Sequence, residues 1–122
     1  MLKWQIGDVT VTQIVELTTA SLGPHLLPQA TPDEMRAIPW MIPFVDDNAK
    51  LILSMHSLII ESSGQTIMVD TCIGNDKERP ELPDWHQRSG SFLRDLAKAG
   101  VPAESIDSVS YTHLTLPTNS LV

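Results

Sequence analysis

The sequence predicts an α/β domain, α+β in the order of its elements: a mostly antiparallel or mixed sheet with one amphipathic helix packed on it. Three observations carry that expectation. β-Branched residues alternate with polar ones near the N-terminus, the period of a strand with one wet face. Two runs of consecutive apolar residues follow in mid-chain, the pattern of strands covered on both faces. A helical stripe then separates the second run from a last short strand, so a run of strands is followed by a single β-α-β unit.

Residues 4–6, a Gly7-Asp8 turn and residues 9–17 read as a hairpin. Between residues 18 and 48, Pro24, Pro28, Pro32, Pro39 and Pro43 interrupt regular structure and leave room for one short helix. Thr31-Pro32-Asp33-Glu34 starts it as a capping box, with proline at the first helical position, where its missing N–H is not needed. Pro39 ends it near Ile38. Residues 40–44, Trp-Met-Ile-Pro-Phe, form an apolar loop expected to lie over a cleft or a partner surface. Residues 51–61 and 66–70, turned by Ser62-Ser63-Gly64-Gln65, form a second hairpin expected at the sheet centre. After Asp70 comes a turn-rich exit, Thr71-Cys72-Ile73-Gly74-Asn75-Asp76, and then a polar loop through Pro83 and Trp85. Ser89 or Ser91 caps a helix over residues 92–99, with Phe92, Leu93, Leu96 and Ala97 on one face. Gly100 suits a left-handed C-terminal cap, Pro102 blocks continuation, and residues 106–112 form the last strand.

The length of 122 residues suits one domain with a core of its own. Eight Lys and Arg against fifteen Asp and Glu give a net charge of -7, a field that repels phosphate backbones and anionic lipid. Nucleic acid and membrane surfaces are therefore not expected partners. A single cysteine, Cys72, excludes an internal disulfide and a cysteine-rich zinc module and fits a reducing compartment. No apolar stretch has the length of a signal peptide or a bilayer span, which makes the cytoplasm the expected location.

His113 ends the last strand before a loop, a place where a rigid backbone fixes a side chain in a cleft, and neutral imidazole is the commonest metal ligand. A catalytic zinc ion needs about three protein ligands. Thr115, Leu116, Pro117 and Thr118 supply none, so spacing alone leaves His113 either a ligand or an ordinary hydrogen-bonded histidine. Asp70 ends an apolar strand, where it either accepts from the turn that follows or lies near a cation. Cys72 lacks a paired base and reads as a small buried side chain rather than a nucleophile. His56 reads as a satisfied mid-strand imidazole, and His25 and His86 as solvated loop residues. Trp40 and Phe44 either line a substrate pocket or form a lid over core.

Three stretches in this order resemble the metallo-β-lactamase-fold hydrolase superfamily, particularly its lactonase-like and esterase-like branch. They are His56-Ser-Leu-Ile-Ile, Met68-Val-Asp70-Thr-Cys-Ile-Gly74-Asn-Asp and Ile106-Asp-Ser-Val-Ser-Tyr-Thr-His113-Leu, and the helix ending Leu96-Ala-Lys-Ala-Gly100-Val-Pro is similar as well. The resemblance implies an αββα sandwich with one or two zinc ions at the sheet edge, whose bound water attacks a small ester, lactone or related bond. It implies that His113 is the first ligand of an H-x-H-x-D-H motif and that Asp70 supports the site from behind. Thr115, Pro117 and Thr118 stand where the second His, the Asp and the last His should be. Cys72 replaces the glycine usual in Asp-Thr-Gly, removing a permissive backbone position.

The expectation that follows is an N-terminal part of such a domain over residues 1–114, inactive and without bound zinc, its small-molecule substrate belonging to the full-length parent. Residues 115–122 depart from the pattern, resemble translated sequencing-adaptor sequence and are expected to be non-native. Half of a two-sheet sandwich leaves an apolar sheet face uncovered, which favours self-association. The competing expectation is a non-catalytic α/β binding domain, or a pseudo-enzyme without metal, that docks a protein through residues 40–44.

Overall fold

The computed structural model describes residues 1–112. Strand β1 (Lys3–Ile6) and strand β2 (Val9–Thr19) form the first hairpin, with Trp4 opposite Val11 and Ile6 opposite Val9. Strand β3 (Leu53–Ser62) and strand β4 (Gln65–Val69) form the second. Between them Ser63 at φ 50° and Gly64 at φ 75° are both left-handed, which is the two-residue turn whose twist matches that of the strands it joins. Strand β5 (Ser108–Ser110) returns parallel to β4, so the sheet order is β1-β2-β3-β4-β5 with β3 at its centre, as the sequence predicts.

The predicted short helix is α2 (Pro32–Arg36), where the Thr31 hydroxyl accepts from the Glu34 N–H at 3.4 Å. One turn of helix precedes it, α1 (Gly23–Leu26), which the proline pattern hides although Pro24 lies in the first turn, where proline is tolerated. Residues 40–44 are not an irregular loop but most of a 3-10 helix, Pro39–Phe44. Helix α3 (Phe92–Lys98) joins β4 to β5. Gly100, at φ 87°, ends it. The Val101 N–H reaches back to the Leu96 carbonyl at 3.2 Å and the Gly100 N–H to that of Ala97 at 3.0 Å, the two bonds of a Schellman motif. Leu96 and Val101, 1% and 5% exposed, supply its apolar contact.

Two sequence expectations need correction here. Leu93 is 65% exposed and Ala97 is also exposed, because the buried stripe of so short a helix is the (i, i+4) pair Phe92 and Leu96, and the next position turns to solvent. Strand β5 is three residues, not seven, because a 3-10 turn at Ala103–Ser105, anchored by the Ser105 hydroxyl on the Pro102 carbonyl at 2.7 Å, uses up the lead-in.

The described residues form two compact units, one of residues 1–14, 57–71 and 93–112, the other of Val15–His56 and Cys72–Phe92. In the first, Thr12, Ile14, Ser57, Ile59, Met68, Leu96 and Val101 are buried; in the second, Leu22, Gly23, Ala49, Ile73 and Phe92. In the first unit, alternation places the buried strand residues on one sheet face. The other face carries Val9, Val11, Leu58, Ile60, Ile67 and Val69, all half-buried, and Trp4 and Ile6, both exposed. Both faces are apolar, as the runs predict, and among the described residues full burial is confined to one of them. No helix of the described residues is long and apolar enough to cross a membrane.

Candidate functional site

Two parallel strands present their carboxyl ends on the same side of a sheet, and in α/β proteins that edge is where ligands bind. In the first unit those ends belong to β4 and β5. The Asp70 N–H continues the ladder to the Ser110 carbonyl at 2.7 Å. The carbonyl of Asp70 accepts the hydroxyl of Ser57, which is fully buried. Thr71 Oγ1 and the Tyr111 hydroxyl lie 3.0 Å apart one residue further out. At the opposite end of β5, the Asp107 carboxylate accepts from the Thr66 N–H at 2.7 Å, and the Asp107 N–H donates to the Thr66 carbonyl at 2.8 Å. Both ends of this short strand are therefore tied to β4, so the chain is aimed rigidly up to Thr112.

Asp70 itself sits at φ 67°, a left-handed conformation that aspartate tolerates better than most residues. Cys72, two residues on, is half-buried and also left-handed at φ 63°. A glycine adopts that backbone without the penalty that a Cβ brings, so the cysteine holds it at a cost.

The turn that follows is held within the second unit. One carboxylate, that of Glu16 on β2, accepts from the Ile73 N–H at 2.7 Å and the Gly74 N–H at 2.9 Å. The loop beyond is fastened by Asp84, whose Oδ2 accepts from both the Thr19 hydroxyl, at 2.6 Å, and the Ser21 hydroxyl. These bonds hold the Asp84 carboxyl below its ordinary range, Ser21 contributing most and Thr19 next; desolvation opposes them and the Arg88 charge adds a smaller lowering. Arg88 donates to the carbonyls of Asp84 at 3.2 Å and Glu16 at 3.3 Å.

His113, the sequence-predicted ligand, and residues 115–122 lie outside the described residues. Asp70 is where the strand end was expected, with its backbone locked. Trp40 and Phe44 belong to the second unit, where they are 69% and 55% exposed. His56 bears out its structural reading, its Nδ1 lying 2.9 Å from the Ser54 hydroxyl. His25 is exposed as expected, but His86 is not a solvated residue: it is half-buried and its Nδ1 accepts from the Arg79 N–H at 2.9 Å. Glu16, Ser57 and Asp84 escape sequence reasoning. Only Ser57 leaves a signal, as a polar residue inside an apolar run. Among the described residues, no group of three or more His, Cys, Asp or Glu is arranged to hold a metal ion. The zinc that the family resemblance implies therefore finds no ligand set in them.

The described residues share their fold with part of several solved hydrolases. Superposition on AbOPH, a hydrolase in the β-lactamase superfamily, gives a TM-score of 0.62 with 19% identity over 93% of this chain and 35% of that one. AidC, a dizinc quorum-quenching lactonase solved with its product, gives 0.63 with 18% identity, covering 93% of this chain and 36% of AidC. A probable metal-dependent hydrolase from Staphylococcus aureus gives 0.64 with 20% identity, covering 90% and 39%. The chain thus spans little more than a third of the structures it matches. No family model and no curated protein matches its sequence.

Proposed function

We propose that this chain is the N-terminal scaffold of a metal-dependent hydrolase acting on a small ester, lactone or related bond. The observation that supports the reading is the locked pair of strand ends, Asp70 on Ser110 and Thr71 beside Tyr111, in a fold shared with metal-dependent hydrolases. In this reading the described residues bind no metal and transfer no proton. They fix the direction in which the chain leaves β5, and Asp70 braces that exit from the neighbouring strand. A metal site needs ligands held to within about half an ångström, which a strand end tied at both of its termini supplies and a loop does not.

The nucleotide sequence of the source gene beyond codon 114, followed by assay of the full reading frame on a panel of small esters and lactones with added zinc, tests the proposal. It predicts a frame that continues into His-x-Asp-His and a zinc-dependent hydrolase. A frame without those ligands, or a full-length protein inert on the whole panel, would overturn it. A second reading, a non-catalytic domain that docks a protein through residues 40–44, is favoured by one observation: Trp40, Ile42 and Phe44 are 69%, 73% and 55% exposed.

A further inference from the structure

We infer that the turn over residues 72–76, within the second unit, is an anion-binding nest made of backbone N–H groups and filled in this chain by the carboxylate of Glu16. The site stands apart from the proposed hydrolase chemistry and holds with or without it. Cys72, Gly74 and Asp76 are left-handed, at φ 63°, 83° and 57°, while Ile73 and Asn75 between them are not. A run in which the sign of φ alternates swings successive N–H groups to one side and makes a concavity of partial positive charge that takes up anions. Two of the three left-handed residues carry a Cβ, and such residues persist only where their surroundings over-determine the conformation.

Glu16 supplies that constraint. Its Oε2 accepts from the Ile73 N–H at 2.7 Å and its Oε1 from the Gly74 N–H at 2.9 Å, so each carboxylate oxygen takes one of two successive amides. Among the described residues Glu16 forms no ion pair. Two guanidinium groups bind main-chain carbonyls of the same residues instead, Arg79 that of Ile73 at 3.4 Å and Arg88 that of Glu16 at 3.3 Å. The half-buried negative charge is therefore met directly by the amides of the turn. The class of ligand follows from this occupant. A planar monocarboxylate brings one oxygen to each amide, whereas a primary amide turns its NH2 group against one of the two N–H donors. With the Glu16 side chain cut back, the concavity is a site for a free monocarboxylate, of which formate is the smallest. In the wild type the tethered carboxylate excludes it through its effective concentration.

Thermal midpoints of the 122-residue chain, of Glu16→Ala and of Glu16→Gln, measured in sodium formate up to about 0.5 M and in sodium chloride at the same ionic strength, test the site. Both substitutions are expected to lower the midpoint by about 5 °C or more. Formate is expected to restore at least about half of that loss in Glu16→Ala, along a saturating curve that chloride does not produce. Glu16→Gln, whose amide still fills the concavity, and the wild type should respond to formate no more than to chloride. Amide-proton NMR reads the nest in the wild type itself: the Ile73 and Gly74 protons are expected downfield of ordinary backbone amides, and both move upfield in Glu16→Gln. Should Glu16→Ala fail to fold in chloride, recovery of folded protein in formate supports the site and its absence overturns it. A Glu16→Gln chain with the wild-type midpoint and amide positions, a Glu16→Ala chain on which formate acts no better than chloride, or wild-type Ile73 and Gly74 protons at ordinary positions would each overturn the inference.

Discussion

Cys72 keeps a left-handed backbone, φ 63°, that a side chain with a Cβ adopts only against a penalty of about 1–2 kcal/mol. The prediction at this position is a ranking. Cys72→Gly should match or exceed the parent in stability, while Cys72→Val, β-branched and worst suited to positive φ, should fall below Cys72→Gly by at least about 1 kcal/mol in urea denaturation. Equal stability of the two variants would mean that the turn relaxes out of the left-handed region. Asp84 makes a second prediction, in pH. Its carboxyl titrates below the ordinary 3.8 in the folded chain because the Ser21 and Thr19 hydroxyls hold the ionised form. A depressed folded value means the stabilisation is complete above the ordinary value and is lost as pH falls through the folded one. Urea midpoints measured downward from about pH 6 should therefore drop below about pH 4, and Asp84→Asn should flatten that part of the curve. Asp84 was invisible in the sequence because its two partners, Thr19 and Ser21, stand more than sixty residues away along the chain.

Elements whose start and stop are decided by neighbouring residues were the ones the sequence made legible. Thr31 caps α2, Ser63 and Gly64 turn the β3–β4 hairpin, and Gly100 closes α3, each through interactions spanning a few residues. The Gly100 closure is testable on its own. A Cβ there would meet nothing within 4 Å, so Gly100→Ala strains only the backbone at φ 87° and should lower stability by about 1 kcal/mol, read as a shift of the thermal midpoint. No shift would mean that the last turn of α3 contributes little to the unit. Elements settled by distant packing were misjudged. The exposure of Leu93 depends on which positions of so short a helix are buried, and the shortness of β5 on a 3-10 turn fastened at Pro102. Over Pro39–Phe44 proline spacing excludes an α-helix but not the tighter 3-10 form that the chain takes there.

At the scale of the molecule, apolar runs that read as strands covered on both faces are strands with one face buried in the first unit and one half-buried. The runs were read correctly as chemistry; what covers the second face is not encoded in a strand's own residues. The candidate site divides in the same way. The strand end at Asp70 is legible from local pattern, whereas the carboxylate of Glu16 on the Ile73 and Gly74 amides is not, being a contact across more than fifty residues. The central claim is that these residues are a scaffold without a complete metal site of their own, in keeping with a chain that spans 35–39% of its structural neighbours. Isothermal titration of the chain with zinc near neutral pH tests that claim most directly. The account predicts no saturable site of about micromolar affinity or tighter, and a tight site holding one or two zinc ions per chain would contradict it.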